Sequence, residues 1–141
     1  MNLSLHHVGV LVTDIKEAVL HYLRLGYEAK SEIVHDPTQT VYAQFLRLPG
    51  DDVYLELISP DRPDSKVGSA LKKGGGLNHI CYSTGNIDEE CQRLCSAGLF
   101  LVSPPVPAIA FPGRRIAWLR GADRVLVELL ERSPEGDPHG L

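Results

Sequence analysis

An α+β fold of two tandem βαβββ modules is predicted for this 141-residue chain by three observations. A strand–helix–strands pattern occurs twice, the two copies match at constant spacing, and the length suits one domain holding both. Placing LHHVGVLVTDIKEAVLHYLRLGY from Leu5 over LNHICYSTGNIDEECQRLCSAGL from Leu77 pairs Leu5 with Leu77, His7 with His79, Ile15 with Ile87, Glu17 with Glu89 and Gly26 with Gly98. Each pair is 72 residues apart. VYLELI at Val53 and VLVELL at Val125 extend the match, with Glu56 over Glu128 and Leu57 over Leu129 at the same spacing. Between them FLRL at Phe45 resembles WLRG at Trp118, a spacing of 73 that a one-residue turn difference accounts for.

Each element has a local cause. LHHVGVLV is β-branched and apolar, as a strand requires. DIKEAVLHYLRLG opens at a capping Asp14, carries Ile15, Ala18, Val19, Tyr22 and Leu23 at helical spacing, and stops at Gly26. YEAKSEIVHD, TVYAQFLRL and VYLELISP follow as three strands bounded by Pro-Thr, Pro-Gly-Asp-Asp and Ser-Pro. The second copy repeats the order, giving eight strands in all. KKGGGL, with Gly74, Gly75 and Gly76, reads as a flexible connector; no Gly-Lys-Ser/Thr follows and a strand comes next, so it is not a phosphate loop. The expected organisation is a single domain over residues 1–131, with modules at about 3–62 and 75–131, and a flexible Pro/Gly-rich tail at 132–141.

Composition narrows the function classes. Apolar residues at 43% and charged residues at 23% fit a soluble globular protein rather than a disordered chain. No apolar run could span a bilayer, so no membrane role is expected. The N-terminus lacks an export signal and the three cysteines lack CxxC spacing, so reduced thiols and a cytoplasmic location are the default expectations. A net charge of −4 with scattered Lys and Arg argues against nucleic acid as a partner. A small-molecule substrate is the expected ligand.

Four polar residues stand inside apolar strands. By alternation His7 shares a face with Leu5, Gly9 and Leu11, while His6 points the other way, and Asn78 takes the place of His6 in the second copy. Glu56 and Glu128 sit among Val, Leu and Ile, where an unpartnered carboxylate is costly. Taken singly, a strand His is usually a hydrogen-bonded core residue and a strand Glu usually faces outward. At equivalent points of two repeats, His7, Glu56, His79 and Glu128 instead suggest one converging site for a divalent ion such as Zn, Ni, Co, Mn or Fe. Two neutral imidazoles and two carboxylates would balance its charge. His6, His21, His35 and His139 have no repeat partners and are read as non-ligands.

From Leu5 to Glu131 this pattern resembles the vicinal oxygen chelate superfamily, which includes glyoxalase I, methylmalonyl-CoA epimerase, extradiol dioxygenases and the fosfomycin and bleomycin resistance proteins. The resemblance implies that the paired modules form an open, cupped, eight-stranded mixed sheet around a metal held by His7, Glu56, His79 and Glu128. It also implies homodimeric assembly. SKVGSALKKGGGLNHICY and GRRIAWL are similar to the corresponding stretches of the epimerases, making an epimerase-like isomerase acting on an acyl-CoA thioester the favoured expectation. A glyoxalase-like lyase acting on a hemithioacetal is its neighbour. One departure stands out: the loop DPTQTV puts Thr38 where epimerases commonly carry a catalytic glutamate, with Asp36 nearby.

The chemistry such a site suits is proton abstraction beside a carbonyl, with Glu128 as base and Glu56 serving the opposite face. A purely structural ligand is the alternative for Glu128. Gln44 could hydrogen-bond substrate or be a satisfied core amide. Arg114 and Arg115 could meet a carboxylate or phosphate, or end a strand in solvent. The rival classes are a small-molecule binding or resistance protein and a metal-dependent oxygenase. The apolar VSPPVPAIAFPG segment could wall a pocket in any of them.

Overall fold

The computed structural model describes residues 3–141, which form nine strands and three helices. The chain divides into two compact units: one takes the chain up to His7 together with His79–Leu141, and the other is Val8–Asn78. Both boundaries fall at the repeat-equivalent histidines. The first half of strand β1 (Ser4–Leu11) therefore groups with the second copy of the repeat.

In the Val8–Asn78 unit, helix α1 (Ile15–Arg24) starts at Asp14, whose carboxylate accepts from the Lys16 and Glu17 amides. Its buried Ile15 packs with Leu46, Leu55 and Leu57. Gly26, at φ 103°, ends the helix in a left-handed conformation that a Cβ would strain. Replacing Asp14 by Ala removes the cap and is expected to lower unfolding stability by about 1 kcal/mol, measured by urea denaturation.

Strands β2 (Glu28–Ala29) and β3 (Val34–Asp36) both pair antiparallel with β4 (Val41–Arg47), which pairs antiparallel with β5 (Tyr54–Pro60). The single strand expected over YEAKSEIVHD is thus two pieces along one edge of β4. Between them Ser31 accepts the Phe45 amide on its hydroxyl, taking up a ladder bond through its side chain. Helix α2 (Gly68–Lys72), one short turn that carries no periodicity to read, leads into the stretch expected as a connector and overlaps it at Lys72. Gly75 follows at φ 64°, where a Cβ would lie 2.8 Å from the Leu11 carbonyl oxygen, so the close approach requires glycine.

In the other unit, β6 (Gly76–Thr84) enters at His79 and runs parallel to β9 (Leu126–Glu131). Strand β9 pairs antiparallel with β8 (Arg115–Arg120), and β8 with β7 (Phe100–Pro107), whose register shifts twice. Helix α3 (Ile87–Ser96) is capped by Asn86 and covers Ala117, Leu119 and Leu129 through Ile87 and Cys91. The α+β class with mixed parallel and antiparallel pairing is as the sequence predicts.

Register assigns the faces. Phe45 stands opposite Glu56, and Trp118 opposite Glu128. The alternate positions, Gln44 with Leu57 and Ala117 with Leu129, form the opposite faces, where the two helices pack. In both units the glutamate therefore points away from the helix. The aromatic–glutamate pair recurs with the spacings of 73 and 72 seen in the repeat.

Candidate metal centre

Three of the four expected ligands meet within one unit. His7 lies on β1, His79 on β6 and Glu128 on β9, all buried. His7 Nε2 is 3.2 Å from His79 Nε2 and 3.2 Å from Glu128 Oε1. Glu56 is buried on β5 of the other unit, on the face of Phe45.

The donor chemistry fits a cation. Glu128 Oε1 is buried and has no hydrogen-bond donor among the described residues, although His7 Nε2 stands at 3.2 Å. Such a contact without a shared proton is one between two lone pairs, and the cost of such an arrangement falls once a positive ion sits between them. Atoms about 2.0–2.1 Å from a common ion would be about 2.9 Å apart at a right angle and about 3.4 Å at the tetrahedral angle. Separations of 3.2 Å fall between the two.

Surrounding groups set the electrostatics. Burial raises the Glu128 carboxyl above the usual carboxylate range, opposed by the His79 imidazole, by a hydrogen bond from the Cys81 thiol and by His6. Cys81 stands beside Glu128 in the β6–β9 register, which places its thiol for that bond. The Trp118 ring meets His79 edge-on at 4.9 Å, and its buried Nε1 has no acceptor among the described residues. Phe111, from the loop after β7, stacks on His7 at 6.3 Å and meets His6 edge-on at 5.5 Å.

His6 is the residue that strand alternation misplaces. It is fully buried, its Nδ1 lies 2.8 Å from His7 Nδ1, and its Nε2 lies 2.9 Å from the Gly140 carbonyl oxygen. Burial, with repulsion from His7 next, lowers its pKa from 6.5 to about 4. A histidine held below its unfolded value contributes stability that is fully present above pH 6.5 and is lost as pH falls towards 4. The raised Glu128 has the opposite sign, with stability present at acid pH and lost as pH rises through its folded value. Thermal melts of the metal-free protein from pH 7 to 4.5 should therefore show an acid-side loss of stability that a His6→Asn variant largely lacks.

The expected substrate groups are placed otherwise. Gln44 lies on the helix-side face of β4, away from the Glu56 face, and donates from Nε2 to the Ser31 carbonyl at 3.0 Å. Arg114 is buried: Nε donates to the Glu131 carbonyl, Nη1 to the Gly140 carbonyl, and the guanidinium lies 5.0 Å from the Phe111 ring centroid. Arg115 is paired with Asp88 at 2.8 Å and Glu131 at 3.1 Å. Gln44 is thus a half-buried amide bonded to the backbone, one of its two expected readings, and Arg114 is buried rather than ending its strand in solvent. In the DPTQTV loop, Thr38 is exposed with its carbonyl accepting from Lys66, and Asp36 accepts the Gln39 amide. Residues 132–141, expected as a flexible tail, are joined to the same unit by Ser83 Oγ donating to Pro138 O and by the bonds to Gly140. No helix among the described residues is long and apolar enough to cross a membrane.

Known proteins share this architecture. The ethylmalonyl-CoA/methylmalonyl-CoA epimerase of Cereibacter sphaeroides is 32% identical over 89% of this chain and 95% of its own length. The human mitochondrial methylmalonyl-CoA epimerase is 31% identical over 89% of this chain and 72% of its own. A variant of the Streptomyces coelicolor methylmalonyl-CoA epimerase, solved in complex with 2-nitronate-propionyl-CoA, superposes with a TM-score of 0.81 at 27% identity, covering 93% of this chain and 98% of that one. Residues 6–118 match the family described as the glyoxalase/bleomycin resistance protein/dioxygenase superfamily. The match covers most of the chain, including His7, Glu56 and His79, and the chain belongs to that superfamily.

Proposed function

We propose that this protein is a divalent-metal-dependent isomerase that removes and returns the proton beside the thioester carbonyl of an acyl-CoA. The observation that carries the reading is the buried meeting of His7 Nε2, His79 Nε2 and Glu128 Oε1. The relatives described above are epimerases of acyl-CoA substrates, which favours the isomerase over the lyase reading.

In this reading His7, His79, Glu128 and Glu56 hold the ion, whose contribution is Lewis-acid stabilisation of charge developing on the substrate oxygen. Glu128 takes the α-proton, and its burial supports that role by raising its basicity. Phe111 and Trp118 exclude water beside the two histidines. Glu56, buried on its own strand, is the candidate for the opposite face, since Thr38 offers no carboxyl group. Homodimeric assembly belongs to the same proposal and rests on the family resemblance.

Two measurements test it together. Elemental analysis of purified protein should find about one divalent ion per chain. Proton NMR in deuterated water should show the α-proton of methylmalonyl-CoA lost to solvent in the presence of the metal-loaded protein. Absence of metal affinity, together with no exchange on any acyl-CoA thioester, would overturn the proposal.

A further inference from the structure

We propose that His6 is a positioning residue for the candidate metal centre: donating from Nε2 to the Gly140 carbonyl and accepting at Nδ1, it holds His7 in the Nδ1–H tautomer and makes the tail part of the site. The inference rests on the metal-site reading of His7, and its argument is one of donors and acceptors.

A carbonyl oxygen only accepts, so the proton in the 2.9 Å contact between His6 and Gly140 lies on His6 Nε2. The Arg114 guanidinium donates to the same oxygen at 3.0 Å and places a positive charge beside the fully buried ring. That is a poor place for a second cation, so His6 is neutral and its Nδ1 carries a lone pair. The 2.8 Å contact from His6 Nδ1 to His7 Nδ1 then takes its proton from His7. His7 Nε2 is left bare, facing His79 Nε2 and Glu128 Oε1.

The relay excludes a competitor. In the other tautomer His7 would carry its N–H on Nε2, the atom 3.2 Å from His79 Nε2, and close the site with a hydrogen bond there. Metal-binding histidines generally donate their second ring nitrogen to a carbonyl or carboxylate, which fixes the tautomer. Here another imidazole is interposed, and the fixing carbonyl lies 134 residues away in the sequence. Ser83, by donating to Pro138 O at 2.8 Å, holds that segment in place. Asn78 occupies the equivalent position in the second repeat, so the device belongs to one half only.

Two variants separate the relay from simple packing. In His6→Asn the amide oxygen can take the place of Nδ1 and accept from His7, whereas the side chain is too short for Gly140. In His6→Gln the longer amide reaches Gly140 but leaves no acceptor beside His7. Cobalt affinity, measured by chelator competition on the full chain, should stay near wild type in His6→Asn and fall about ten- to hundredfold in His6→Gln. Long-range proton–nitrogen correlation spectra of the metal-free protein should show His7 protonated at Nδ1 in the wild type and His6→Asn, with the Nε2–H form emerging in His6→Gln. His7 protonated at Nε2 in the metal-free wild type, or His6→Gln binding cobalt as tightly as wild type, would overturn the proposal. Failure of the wild type to bind cobalt would count against the metal reading alone, because the tautomer spectra decide the relay without metal.

Discussion

Replacing Glu128 by Gln is expected to slow exchange of the substrate α-proton by about 10²- to 10⁴-fold. The variant keeps the size of the side chain and one neutral oxygen for the ion, but removes the carboxylate that accepts the proton. Glu128 suits this test because its base strength comes from its surroundings: burial raises it, while His79 and the Cys81 thiol restrain the rise. An amide at the same place can also satisfy the cluster without a counter-charge, so the fold should tolerate it. Metal content and exchange rate must be measured on the same preparation. If the glutamine variant binds metal and exchanges protons at the wild-type rate, Glu128 is a structural ligand and the base lies elsewhere. If exchange falls while metal content holds, the carboxylate itself is the working group. Comparing exchange with inversion at the α-carbon then examines Glu56. A single base supports exchange, whereas epimerisation needs a proton delivered to the other face.

The parts of this site that could be read from sequence are those that strand periodicity and duplication determine. His7, His79 and Glu128 stand in runs where alternation assigns a face, and the constant spacing of 72 selects one residue per strand. The aromatic opposite each glutamate is visible too, since Phe45 and Trp118 keep the repeat despite the one-residue slip. His6 could not be placed this way. Alternation sends its Cβ to the face opposite His7, yet adjacent imidazoles are large enough to turn their Nδ1 atoms together at 2.8 Å. The adjacent pair of histidines was the available signal, and reading it needed an acceptor for the second ring. That acceptor is the backbone carbonyl of Gly140, which carries no side-chain signature and lies in a segment whose Pro and Gly content reads as disorder. The two readings of Gln44 could not be separated for another reason: its face relative to Glu56 depends on a non-local register, Phe45 opposite Glu56, that composition does not reveal. Arg114 looks like a strand-end cation until its two carbonyl acceptors are known.

Replacing His79 by Ala is expected to abolish metal-dependent stabilisation. An ion at one hundred times its dissociation constant adds about 2.7 kcal/mol to a protein that binds it only when folded. For a chain of this size, that gain raises the melting temperature by roughly 5–11 °C. His79 contributes a nitrogen 3.2 Å from His7 Nε2 and packs against Trp118, so its loss also lowers the stability of the metal-free protein. Each variant must therefore be compared with its own metal-free form. His21→Ala is the control, because His21 is exposed on α1 and outside the cluster, and it should retain the full shift. The comparison separates two explanations of the same geometry. A histidine cluster that served only the core would be held by a shared proton, and added zinc or cobalt would leave the wild-type melting temperature unchanged. A ligand set gives a shift in wild type and His21→Ala that is absent from His79→Ala. The shift should also weaken at acid pH, where protons compete with the ion for the imidazole nitrogens and the Glu128 oxygens.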